Sequence, residues 1–138
     1  MVRELKQFGR ELRRLINSPE VFSLLREGDW GAGGCWVLAS ALVEFLGSPA
    51  ELYVVTSDGM VEHVLVRYVD MYIDNNGAQT KKELDRNISE DPHYQDRSWR
   101  LGKFTKKLQE RAREEGYIDC DIGMVKALRS YLYKAFFT

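Results

Sequence analysis

The sequence predicts an α+β layer fold, with an apolar helix packed on a small antiparallel sheet and further helices at both termini. Three observations point there. Apolar residues recur at helical spacing up to Gly47. From Glu51 the chain changes to short runs rich in Val and Tyr, separated by turn residues. Helical spacing then returns from Thr80 to the C-terminus. The 138 residues, 44 % hydrophobic and 30 % charged, suit a single domain, and no repeat, low-complexity segment or linker divides them.

Val2, Leu5, Phe8, Leu12, Leu15 and Ile16 share one face of a first helix, with Arg and Glu between them. In "SPEVFSLLREG", Ser18 reads as an N-cap, Pro19 as the first helical residue and Gly28 as the stop. A third helix begins after Cys35, carries Val37, Leu38, Ala41, Leu42, Phe45 and Leu46, and ends at Gly47. It is apolar around much of its circumference and therefore central. "ELYVVT", "EHVLVRYV" and "MYID" read as three antiparallel strands, the first two joined by an Asp58-Gly59 turn. Thr80 and Glu83 have capping-box spacing and open a helix at "TKKEL". Residues 88–99 read as a loop, and two helices over 103–115 and 121–137 close the chain.

Cys35 starts a helix, His63 starts a strand and Asp74 lies on the next strand. A thiol attacks carbonyl carbon as its thiolate, which a helix N-terminus and a neighbouring imidazolium both stabilise. A carboxylate behind the imidazole holds its tautomer and orientation. A two-residue turn at Val69-Asp70 pairs Tyr68 with Met71 and makes His63 a diagonal neighbour of Asp74. A turn at Tyr68-Val69 sets His63 directly opposite Asp74. Both registers put the two side chains on one face. Each residue also has a plainer reading. Cys35 suits a small core position, and Asp74 in "DNNG" suits a turn cap. Trp36 reads as a packing wall, and His93 and Cys120 have no partner evident in sequence.

"GGCWVLA" is similar to the nucleophile motif of transglutaminases, Gly-Gln-Cys-Trp-Val-Phe-Ala, and its Gly-x-Cys-Trp core resembles that of papain. "HVLVRYVDMYIDNNG" resembles the histidine strand and following aspartate strand of the transglutaminase-like superfamily. The resemblance spans about residues 28–80. It implies a papain/transglutaminase-like core with Cys35 as nucleophile, His63 as base and Asp74 as the orienting acid. The implied chemistry is attack on an amide or acyl carbonyl, as in a protease, a deamidase or an acyl transferase. Where papain-like enzymes carry a glutamine that donates into the oxyanion hole, this chain has Asp29, which donates nothing when ionised. The oxyanion and substrate loop is then Trp30, Gly33, Gly34 and Trp36. The Cys35 backbone N–H is one donor and the Trp30 indole, if not a packing residue, a second. Gly31, Gly33 and Gly34 are expected to hold backbone angles or close approaches that a side chain forbids.

A peptide, a protein or a small acyl or amide compound is the expected substrate. A catalytically silent binding or inhibitory module that keeps the fold is the alternative. Twenty basic against twenty-one acidic residues, net charge -1, argue against nucleic acid as a partner. No apolar run approaches the ~20 residues that span a bilayer, and the N-terminus lacks the pattern of a signal peptide, so neither a membrane nor export is expected. Two cysteines without metal-ligand spacing predict free thiols, a cytoplasmic protein, and neither metal nor cofactor. The sequence sets no oligomeric state.

Overall fold

A computed structural model describes residues 2–25, 30, 31, 33–115 and 121–137. Gly28, Asp29 and Cys120, each given a role above, lie outside the described residues. Helix α1 (Val2–Ile16) follows its apolar spacing and buries Leu5, Leu12 and Ile16. The Ser18 cap and Pro19 start α2 (Pro19–Phe22) as expected, but it is a single turn. The N–H groups of Leu24 and Leu25 bond to carbonyls three residues back, so the chain tightens and the helix does not run on through Ser23–Leu25. Helix α3 (Cys35–Leu46) has Gly34 as N-cap and ends at Gly47, whose φ of 70° suits a residue without Cβ.

Strands β1 (Glu51–Ser57), β2 (Met60–Tyr68) and β3 (Met71–Asp74) are the three expected. Asp58 and Gly59 make the first turn, both with positive φ (52° and 81°), the backbone a right-twisting hairpin requires. The second turn is Val69-Asp70, so Tyr68 pairs with Met71, the first of the two registers considered. Val69 takes φ 59°, a left-handed conformation that costs a β-branched residue energy.

Two more strands complete the sheet, β4 (Gly77–Thr80) and β5 (Trp99–Lys103), in the all-antiparallel order β4-β3-β2-β1-β5. Both are edges. "GAQT" and "WRLGK" carry little β-branched or alternating character, and their ladders to β3 and β1 hold them rather than their own pattern. Helix α4 (Lys81–Glu90) opens on the expected capping box, with both reciprocal Thr80–Glu83 bonds formed. The expected 88–99 loop is therefore shorter. It contains the end of α4, a 3₁₀ turn at Pro92–Tyr94 and the start of β5. Helix α5 (Lys106–Glu114) begins only after the Thr105 cap, because Trp99–Lys103 is spent on the sheet, and α6 (Ile122–Phe136) follows the Asp121 cap.

Among the described residues the architecture is thus mixed α+β, a five-stranded antiparallel sheet with six α-helices. Alternate strand residues divide the core in two. Val54, Val64, Val66, Met71 and Ile73 face α1, α3 and α6, around Leu12, Leu38, Leu42, Leu128 and Leu132. Tyr53, Val55, Leu65 and Tyr72 face the other way, under Leu84 and Ile88 of α4. Helix α1 lies so close to β4 that a Cβ on Gly9 would stand 2.3 Å from the Ala78 backbone nitrogen. No helix among the described residues is long and apolar enough to cross a membrane.

Candidate active site

Strand β3 stops at Asp74, whereas β2 extends five residues, Met60 to Val64, past Leu65, the position opposite it in this register. This difference in length opens a notch beside β2. The Val64 N–H would have bonded residue 75 had the β2–β3 ladder continued. Instead it points at the Cys35 sulfur, with N···Sγ 3.5 Å. Cys35 is the first residue of α3, and Gly34 has no side chain to cap the helix. The helix start thus brings a buried thiol, 2 % exposed, to the open edge of the central strand.

The opposite face of the sheet supplies the other two groups. Asp74 has the parity of Tyr72, and His63 has that of Leu65. His63 Nε2 lies 3.0 Å from Asp74 Oδ2. The turn-cap reading of Asp74 is also realised, through its other oxygen. Oδ1 accepts the Asn76 backbone N–H at 2.8 Å and the Gln79 side-chain amide at 3.1 Å. Asn87 in turn donates to Gln79 Oε1 at 2.7 Å, so a chain of amides from α4 through β4 holds the carboxylate. Burial favours the neutral form of His63. The hydrogen bonds of Asp74 and then Cys35, with their charges, outweigh it and raise the imidazole from 6.5 to about 10. With Nε2 on Asp74, Nδ1 is the ring atom left for the thiol.

His63, Asp74 and Gly33 line a cleft of about 500 Å³, with Glu62, Asn75, Gln79, Asn87, His93 and Tyr94 among its other walls. The β1–β2 register slips by one residue at Glu62, and this bulge turns consecutive Glu62 and His63 toward the same cleft. Glu62 is held by His93 Nε2 at 2.8 Å and by Arg97 at 2.9 Å. His93 thus has a partner after all, one that sequence spacing does not show because a fold contact across 31 positions creates it. Burial first, and then the charges of Glu62, Asp91 and Cys35, push the Tyr94 hydroxyl up to about 12.

The glycine loop behaves unevenly. Gly33 holds φ 92°, and a Cβ on Gly31 would stand 2.7 Å from Asn75 Nδ2, so both meet the expectation. At Gly34 the angles, φ −92° and ψ −4°, suit any residue. Trp30 is buried and its indole N–H donates to the Ile16 carbonyl at 2.8 Å, which removes it as an oxyanion donor and makes it a core anchor. Trp36 is the packing wall, edge-on to Phe104 at 5.0 Å with the Arg113 guanidinium 5.3 Å over its ring. Among the described residues no three His, Cys, Asp or Glu side chains are grouped to ligate a metal ion. No family model, no curated protein and no solved structure matches the chain.

Proposed function

We propose that the chain is a thiol enzyme of the transglutaminase- and papain-like type, in which Cys35 attacks an amide or acyl carbonyl. His63 takes the thiol proton and returns it to the leaving group. Asp74 keeps the imidazole in the required tautomer and stabilises its charge. The observation that carries this reading is the buried His63, hydrogen-bonded to the Cys35 thiol and held at 3.0 Å by an Asp74 that is itself anchored twice. Attack forms the C–S bond and moves the carbonyl π pair onto oxygen. Collapse of that adduct expels the leaving group and gives a thioester, which water or an amine then cleaves. The substrate is a peptide, a protein side chain or a small acyl or amide compound, and a reducing compartment such as the cytoplasm suits the free thiol.

The test is covalent trapping by an electrophilic acyl probe, with the labelled peptide located by mass spectrometry. Labelling at Cys35 that disappears in Cys35→Ala and His63→Ala supports the enzyme reading, and labelling independent of His63 overturns it. One observation favours a second reading, a silent binding module: Cys35 is 2 % exposed and does not itself line the cleft. That reading requires a probe-inert Cys35 in a folded chain.

A further inference from the structure

Attack on a carbonyl leaves an oxyanion that needs a hydrogen-bond donor beside the thiol. The Cys35 backbone N–H at the start of α3 is one; with Trp30 committed to Ile16, a second donor must come from elsewhere in the cleft. Gln79 and Asn87 spend their amides on the chain that holds Asp74. The Asn76 side chain is exposed. Asn75 is different. It lines the cleft and is partly buried, and no hydrogen bond among the described residues engages its side-chain amide.

Its position is also defined. Extending the β2–β3 register by two residues sets Asn75 opposite Val64, the residue whose N–H is taken by the Cys35 sulfur. Asn75 therefore flanks the notch that the thiol occupies. Its Nδ2 is pressed against Gly31, four positions before the nucleophile, closely enough that a Cβ there would meet it at 2.7 Å. The lack of a side chain at Gly31 is what leaves room for the amide.

We propose that Asn75 is a catalytic residue whose Nδ2–H donates to the carbonyl oxygen of the substrate as Cys35 attacks. This rests on the thiol-enzyme reading and adds the electrophilic half of the site. Two carboxamide variants and one glycine variant separate the roles. Asn75→Ala deletes the donor, Asn75→Asp puts an acceptor in its place, and Gly31→Ala displaces the amide without changing it.

The experiment compares two reactions at Cys35 in a Cys120→Ser background. Acylation by 4-nitrophenyl acetate passes through an oxyanion: the C–S bond forms, the π pair moves to oxygen, and collapse releases 4-nitrophenolate. Alkylation by iodoacetamide displaces iodide and forms no oxyanion. The expected result is an acylation rate about 100-fold lower in Asn75→Ala, lower again in Asn75→Asp and about 10-fold lower in Gly31→Ala. Alkylation changes by less than about three-fold in all three, which shows that the thiol and its imidazole are intact. Equal losses in both reactions, or an unchanged acylation rate in Asn75→Ala, overturn the assignment. A loss confined to Tyr94→Phe also overturns it and moves the donor to that hydroxyl. Absence of Cys35-dependent acylation in the unsubstituted chain is the separate failure of the enzyme reading itself.

Discussion

Asp74→Asn changes one atom in the buried network and reverses what that atom can do. The Asn oxygen can keep the bonds from the Asn76 N–H and the Gln79 amide. The other terminal atom becomes an N–H donor 3.0 Å from His63 Nε2, so the ring must meet it with a lone pair and carry its proton on Nδ1. A protonated ring then has no acceptor there. Asp74 supplies the largest effect opposing the burial penalty on His63, and without it the imidazole falls from its value of about 10. The rise from 6.5 to about 10, at about 1.4 kcal/mol per pH unit, caps the stabilisation of the charged ring at about 5 kcal/mol. Because the folded value is raised, this contribution is fully present below the unfolded value of 6.5 and is lost as pH rises through about 10. Urea unfolding from about pH 6 to about pH 10 should therefore show a gap of several kcal/mol between the native chain and Asp74→Asn that narrows with pH. A gap that stays constant across that window refutes the charged His63–Asp74 pair.

Three further outcomes follow from particular contacts. Gly9→Ala drives a Cβ to 2.3 Å from the Ala78 nitrogen, where only backbone movement relieves it, and should cost about 3 kcal/mol in denaturant unfolding. Val69→Gly releases a β-branched residue from φ 59° and should raise stability by about 1 kcal/mol, read as a higher melting temperature. The 2 % exposure of Cys35 implies size selection: in a Cys120→Ser background, methyl methanethiosulfonate should label the thiol at least about 10-fold faster than an aromatic disulfide reagent, relative to free cysteine.

The site was legible where local pattern carried it. The apolar run after Cys35 made a helix start there, and the strict alternation of a strand put His63 and Asp74 on one face in either register considered. The Asp58-Gly59 and Thr80–Glu83 signals are equally local, and both formed. What stayed hidden depends on contacts between distant segments. Edge strands β4 and β5 have no pattern of their own, so the Gln79–Asn87 support of Asp74 could not be read. The Glu62 bulge and its His93 and Arg97 partners need the register of β1 against β2. Sequence alone left Trp30 either a donor or a packing residue, because the bond that decides it runs to a carbonyl 14 positions away.

The pH profile of Cys35 alkylation tests the central claim most directly. Iodoacetamide rates are measured from about pH 5 to about pH 9 in the Cys120→Ser background, with and without His63→Ala. A thiol paired with the His63 imidazolium should react at about pH 6 within about three-fold of its rate at about pH 8, and His63→Ala should abolish that acid-side reactivity. A rate that climbs about ten-fold per pH unit toward ~8.5, unchanged by His63→Ala, is the behaviour of an unassisted core thiol and contradicts the account.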